Sequence, residues 1–231
     1  MTGMTGTSRT TRITVACLDM AGTTVADDGV VMAAFRGAID DQRLPDQDRD
    51  RAMRIAHDTM GQSKIVVFRQ IFGDEDTAQR VNAAFEEHYA TAVSGGRIEP
   101  LPGAAQTLKQ LREAGLRVCL STGFAPVTRD AILDALGWRD MIDLALSPAD
   151  VGRGRPFPDM ALTALLRLGG EAVSELAVAG DTPADIESGL RAGAGVVAGV
   201  LTGTGTRASF EQAGAPLILD SIADLVPYLT G

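Results

Sequence analysis

The sequence predicts an α/β protein: a parallel sheet covered by helices on both faces and interrupted once by a helical block. Three observations predict it. An apolar, β-rich run, Val15–Leu18, ends abruptly in Asp19 and is followed by the small residues Ala21, Gly22, Thr23 and Thr24. From Asp28 to about Gly95 strand-like runs vanish and only helical spacing remains. After Gly103 helices alternate with short apolar runs, the rhythm of a parallel sheet.

The elements follow in order. Residues 12–18 read as a strand dominated by Ile13, Val15, Cys17 and Leu18. The helical block gives Val30–Asp41, Asp46–Met60, Ser63–Phe72 and Asp74–Val93, with Asp46 and Asp74 as expected N-caps. Ser94-Gly95-Gly96, Pro100 and Pro102 mark the return, and Ala26–Gly29 is the other short connection. Two short connections to a helical insert suggest a lid that hinges. Helix 104–114 then precedes strand 116–120, helix 126–136 strand 144–146, and helix 159–168 strand 176–179. Helix 183–192 precedes strand 195–200, helix 206–213 strand 217–219, and residues 222–228 end the series. The strand runs are apolar throughout, as burial on both faces demands.

Composition narrows the function. The chain has 231 residues and a net charge of −9, which disfavours a nucleic-acid or anionic-membrane partner. An anionic substrate must therefore be drawn in by a local positive site. The two cysteines, Cys17 and Cys119, sit in apolar strand runs, which fits a reducing, cytoplasmic setting rather than a disulfide framework. Residues 1–11, rich in Thr, Gly and Ser, lack the apolar block of a secretory leader and read as a disordered tail.

Four strand tips carry chemistry. The first presents Asp19. The second presents Ser121, Thr122 and Gly123 at a helix entrance, where free N–H groups and the helix dipole favour anions. The third region, Gly152–Pro158, holds Arg153 and Arg155 before a helix. The fourth, Gly180–Asp185, holds Asp181 and Asp185 after a strand. Each alone reads equally well as a cap, a solvated loop or a surface acid; all four in this order, each at a strand end, point to one site.

Asp19-Met20-Ala21-Gly22-Thr23, Ser121-Thr122-Gly123, Gly154-Arg155-Pro156 and Gly180-Asp181-Thr182-Pro183-Ala184-Asp185 together resemble the motifs of the haloacid dehalogenase superfamily over nearly the whole chain. The resemblance implies a Rossmann-like core, 12–27 with 97–231, and a helical cap of the C1 type, 28–96. It implies Asp19 as nucleophile and Mg²⁺ held by Asp19, Asp181 and the Ala21 carbonyl. Asp185 would orient metal-bound water. Thr122, the Gly123 amide and Arg155 would grip the phosphoryl group, with Ala21 and Gly22 beside it. The chemistry is coherent: a carboxylate needs no base to attack phosphorus, but anion meeting anion needs counter-charge, and Mg²⁺ prefers oxygen ligands.

One departure narrows the reading. Most phosphatases of the superfamily carry a second aspartate two positions after the nucleophile to protonate the leaving alkoxide; here that position is Ala21. The Asp-x-Ala-Gly-Thr-Thr form resembles phosphonatases, phosphonoacetaldehyde hydrolase and its relatives, in which a cap lysine forms an imine that receives the electrons of the C–P bond. Met60-Gly61-Gln62-Ser63-Lys64 matches their M-G-x-x-K pattern and puts Lys64 at the imine position, with Met60 as a substrate contact. Val67 stands where that pattern has a histidine and Met20 where it has an aromatic residue. His57 precedes Lys64, but Gly61 interrupts the segment between them, so it is no substitute base. The readings that remain are a phosphonatase, a phosphatase of a small phosphate monoester such as a sugar phosphate or phosphoglycolate with Lys64 as a plain cation, and a non-catalytic binding protein. Resemblance to phosphonatases further implies a homodimer through the cap.

Overall fold

The computed structural model describes residues 12–27 and 29–230. The expected tail, 1–11, lies outside the described residues. Among the described residues six strands form one parallel sheet: β1 Val15–Asp19, β2 Arg117–Ser121, β3 Leu144–Leu146, β4 Leu176–Gly180, β5 Val196–Val200 and β6 Leu217–Leu219. Their spatial order is β3-β2-β1-β4-β5-β6. The order reverses between β1 and β4, and sheets of this kind bind ligands at the carboxyl ends of the strands at such a reversal. β1 delivers Asp19 there, and the residue after β4 is Asp181.

The alternation along β1 shows why both faces are apolar. Ala16 and Leu18 join one core, with Leu108 and Leu111; Val15 and Cys17 join another, with Met160 and Leu165. Those partners come from helices on opposite faces, α5 Ala104–Glu113 and α7 Asp159–Arg167. Each fully buried Leu contributes roughly 2 kcal/mol. Helices α6 Pro126–Leu136, α8 Pro183–Ala192, α9 Arg207–Gln212 and α10 Val226–Thr230 complete the cover.

Four helices stand between β1 and α5: α1 Val30–Asp40, α2 Asp46–Asp58, α3 Lys64–Phe72 and α4 Glu75–Ser94. Their interior is aromatic. The Phe35 ring lies 5.2 Å from Phe68 and 4.8 Å from Phe85, and Tyr89 lies 4.5 Å from Phe124, which belongs to the loop after β2. The insert and the sheet therefore share one continuous core. No helix among the described residues is long and apolar enough to cross a membrane.

The structure corrects several expectations. Asp46 is the first residue of α2 rather than its cap, which is Pro45; Asp74 does cap α4, its side chain accepting from Thr77 N. β1 is shorter than expected and starts at Val15; Thr14, just before it, still bonds to both neighbours, through its N–H to the Glu175 carbonyl and through its carbonyl to Arg117 N. β2 extends to Ser121, because register with β1 pairs it with Asp19 although it is polar.

Candidate active site

The cavity at the sheet's reversal point is built from backbone geometry first. After Asp19 the chain folds back tightly: Thr24 N and Val25 N both donate to the Met20 carbonyl, and Thr24 Oγ1 donates to the Asp19 carbonyl at 2.9 Å. Gly22 has φ +84°, and a Cβ there would lie 2.5 Å from Asp181 Oδ2. A Cβ on Gly203 would overlap the same carboxylate. Glycine is thus required on two sides of Asp181 for close approach. Asp181 Oδ2 accepts from Thr204 N at 2.9 Å.

Arg155 is the electrostatic centre. It is buried, with Nη1 2.5 Å from Asp19 Oδ1 and 2.9 Å from Asp185 Oδ1, while Nη2 donates to Ser121 Oγ at 2.9 Å. Asp185 does double duty: its Oδ2 accepts from Thr182 N at 3.1 Å and Thr182 Oγ1 at 2.5 Å, closing the N-terminus of α8.

Three carboxylates and two cations, Arg155 and Lys64, are all buried. Burial pushes the Asp19 carboxyl up to about 6, against the pull of Arg155. Burial, reinforced by Asp19 and Asp185, pushes Asp181 well above the carboxylate range. Burial lowers Lys64, opposed chiefly by Asp19 and then by Asp27. The Lys64 amine faces aromatic rings, 5.5 Å from the Phe35 centroid and 5.2 Å from that of Phe124.

The donor set fits a hard divalent cation. Asp181 lies in a cradle of two glycines, and the negative charge of the three carboxylates exceeds that of the two cations. Among the described residues no group of three His, Cys, Asp or Glu side chains is arranged to hold a metal by itself. Asp19 and Asp181 with the Ala21 carbonyl and water would make an all-oxygen set of the kind Mg²⁺ takes.

The insert covers this cavity through the loop before α3. Gly61 has φ +86°, and a Cβ on it would overlap Thr182 Oγ1. Lys64 N donates to the Gly123 carbonyl at 3.3 Å, and a Cβ on Gly123 would lie 2.5 Å from the Gln62 carbonyl. Beside a cleft of about 490 Å³ that shares Lys64, Gly123, Phe124 and Arg155, the Asp19 cavity itself measures about 30 Å³, room for a water or two.

Asp19, Ala21, Gly22, Met60, Lys64, Thr122, Gly123, Arg155 and Asp181 all line that one cavity. Asp185 does not; it stands behind Arg155. Arg153, read beside Arg155 in the sequence, lies outside, paired with Asp159 at 2.9 Å and stacked on Phe157. His57 is exposed on α2 beside Asp58 and does not line the cavity. Sequence reasoning missed Asp27, which lines the cavity from the connection into α1; a carboxylate inside a hinge segment was the available signal. It also missed Thr204 as the Asp181 donor and Ser121 as the Arg155 partner, for which separation along the chain left no signal.

Comparison with known proteins identifies the family. The family model for haloacid dehalogenase-like hydrolases matches residues 13–193. The chain is 30% identical over 214 residues to "Probable phosphatase IndB" of Dickeya dadantii, covering 90% of each. It is 28% identical over 187 residues to a phosphonoacetaldehyde hydrolase of Bordetella pertussis, covering 70% of this chain and 68% of the relative. Among solved structures, a hydrolase from Pseudomonas syringae superposes with a TM-score of 0.81 at 26% identity, covering 94% of this chain and 97% of that one. A phosphonoacetaldehyde hydrolase-like protein from Oleispira antarctica shares the fold, with a TM-score of 0.80 at 24% identity over 96% of this chain and 92% of that one. With motif residues from the segments that follow β1, β2, β3 and β4 meeting in one cavity and the family match spanning most of its length, the chain belongs to the haloacid dehalogenase-like hydrolases.

Proposed function

We propose that this hydrolase is a Mg²⁺-dependent phosphonatase that cleaves phosphonoacetaldehyde or a related carbonyl phosphonate, with segment 28–96 as a cap over a core of 12–27 and 97–231. The observation that carries the reading is the Lys64 amine: it is buried, depressed in pKa and placed on the wall of the Asp19 cavity, with Ala21 where an ester-cleaving relative would have a proton donor. A neutral amine adds to the aldehyde carbon and loses water, giving an imine on Lys64. Asp19 then attacks phosphorus. The C–P bond breaks, its electron pair passes into the protonated imine as an enamine, and phosphorus stays on Asp19. Protonation of the enamine carbon and hydrolysis free the aldehyde and Lys64; water cleaves the aspartyl-phosphate. Asp19, Asp181 and the Ala21 carbonyl would hold Mg²⁺, which would supply counter-charge. Thr122, the Gly123 amide and Arg155 hold the phosphoryl oxygens.

Borohydride reduction in the presence of phosphonoacetaldehyde should inactivate the enzyme and tag Lys64; an untagged, active enzyme excludes the imine. A second reading, hydrolysis of a small phosphate monoester with Lys64 as a cation, is favoured by one observation. Val67 is buried and apolar, so the proton carrier that the phosphonatase pattern places there is missing. A panel of carbonyl phosphonates, sugar phosphates and phosphoglycolate, scored for phosphate release, separates the two.

A further inference from the structure

Helix α6 begins without a cap of its own. Its N-cap residue is Ala125, which has no side-chain acceptor, although its φ −66° and ψ 155° are those of an ordinary cap. The first turn of a helix leaves unpaired N–H groups that a side-chain oxygen normally satisfies. At α6 the insert supplies an acceptor instead, for the N-cap N–H and a first-turn hydroxyl rather than for the N2 and N3 N–H groups. Glu86, on α4, accepts from Ala125 N through Oε1 at 3.3 Å, and its Oε2 accepts the Thr128 hydroxyl. Thr128 is buried and sits in the first turn of α6.

The loop that Glu86 grips leads straight into the site. It runs Thr122-Gly123-Phe124-Ala125 between β2 and α6. Phe124 N donates to Thr122 Oγ1 at 3.3 Å, and the Phe124 ring packs on Tyr89, one turn beyond Glu86 on α4. The only other backbone tie from the insert to this loop among the described residues is Lys64 N to the Gly123 carbonyl. Glu86 and Lys64 therefore hold both ends of the segment that carries Thr122 and the Gly123 amide. An anionic side chain at a helix N-terminus is favourable in itself, and leaving it exposes both partners to water.

We infer that Glu86 is a positioning residue: it caps α6 from the insert, and in doing so latches the insert shut and fixes the Thr122–Gly123 loop for the phosphoryl group. The inference rests on the phosphoryl-hydrolase reading and on the insert's acting as a cap, and it does not depend on whether a C–P or a P–O bond breaks.

A helix cap can be supplied locally, which separates latching from mere helix stability. Ala125→Ser puts an acceptor at a position already in cap geometry. Four full-length proteins are compared with Mg²⁺ present: native, E86A, E86Q and E86A/A125S. Thermal midpoint, radius of gyration by small-angle scattering and calorimetric Kd for inorganic phosphate are read on each. E86A is expected to lower the midpoint, increase the radius of gyration and weaken phosphate binding about tenfold. E86Q, which keeps one acceptor, should fall between. In E86A/A125S the midpoint should return while radius and phosphate Kd stay at their E86A values. Full return of all three in the double variant reduces Glu86 to a helix cap and overturns the inference, as do E86A values equal to native. These readouts need no turnover. A native enzyme that binds phosphate but releases it from no phosphonate or ester would refute the proposed activity alone.

Discussion

The Arg155 guanidinium lies 2.5 Å from the Asp19 carboxylate, both buried, so the proposed nucleophile and its counter-charge form one unit with Asp185 behind them at 2.9 Å. Removing the cation strands two carboxylates. Arg155→Met should cost about 3–5 kcal/mol of stability at pH 7, the usual penalty for unpairing a buried ion pair. The loss should shrink on acidification toward pH 5, because Asp19, already raised to about 6, moves higher still without Arg155 and takes up a proton. Urea unfolding at the two pH values measures this. An equal loss at both would mean that Asp19 is not the group left unpaired.

Asp19 also sets a pH dependence of folding with an unusual sign for a carboxylate. Its ordinary value is 3.8 and its folded value about 6, so between those limits the native state binds the proton more tightly than the unfolded chain. Stability from this group is therefore full below about pH 4 and falls as pH rises to about 6. The change is on the order of 2–3 kcal/mol, a midpoint shift of roughly 5–10 °C for a chain of this size. Glu75, held down to about 2 first by its hydrogen bond to Arg69, acts in the opposite direction at lower pH. The difference between native and Asp19→Asn in EDTA isolates Asp19: the variant should show a smaller fall between pH 4 and 6, the remainder belonging to Asp181, which burial pushes in the same direction. Mg²⁺ should raise the native midpoint at pH 7 and have little effect at pH 4.5, since protonated carboxylates do not ligate it.

Much of the site was legible because its chemistry is written locally. A strand that must stop at a charge, as at Leu18-Asp19, is visible in a few residues, and so is Gly180-Asp181 with Pro183 opening a helix. Partnerships across the chain were not. Ser121 donates nothing to the pattern that predicts its bond to Arg155, and nothing in α4 announces that Glu86 caps α6. The same limit explains the strand ends. Apolarity ends at Leu120, but the hydrogen-bond register with β1 carries β2 on to Ser121 opposite Asp19. Helix α2 took its cap from backbone shape, with Pro45 at ψ 148°, where side-chain chemistry pointed to Asp46.

Gly22 should be intolerant for two separable reasons. Its φ of +84° disfavours any side chain, and a Cβ would press on Asp181 Oδ2 at 2.5 Å. Gly29 shares the first feature, with φ +76°, but its Cβ would meet nothing within 4 Å. Gly29→Ala is expected to cost about 1 kcal/mol and leave Mg²⁺ binding as it was. Gly22→Ala should also weaken Mg²⁺ at least tenfold, by displacing the Asp181 carboxylate. Calorimetric titration of Mg²⁺ into both variants decides. Equal, undiminished affinities would show that Asp181 is not a metal ligand.

Lys64 distinguishes the two proposed activities. Arginine keeps the positive charge and can hold a phosphate, but it cannot form an imine. If Lys64 carries an imine, Lys64→Arg should lose at least 1,000-fold in kcat on phosphonoacetaldehyde, while any hydrolysis of phosphate esters falls less than tenfold. If Lys64 is only a cation, both should fall together and modestly. The pH profile gives a second reading of the same amine. Burial depresses its pKa, so the neutral fraction that attacks a carbonyl grows at a lower pH than for an exposed lysine, and kcat/KM on the phosphonate should climb with pH through that depressed value. Lys64→Met should remain folded, because it puts an apolar group against Phe35 and Phe124 and removes a cation that burial disfavours, although Asp19 and Asp27 lose a neighbouring positive charge. A Lys64→Met protein that is folded yet still cleaves the phosphonate at the native rate would remove the imine from the mechanism.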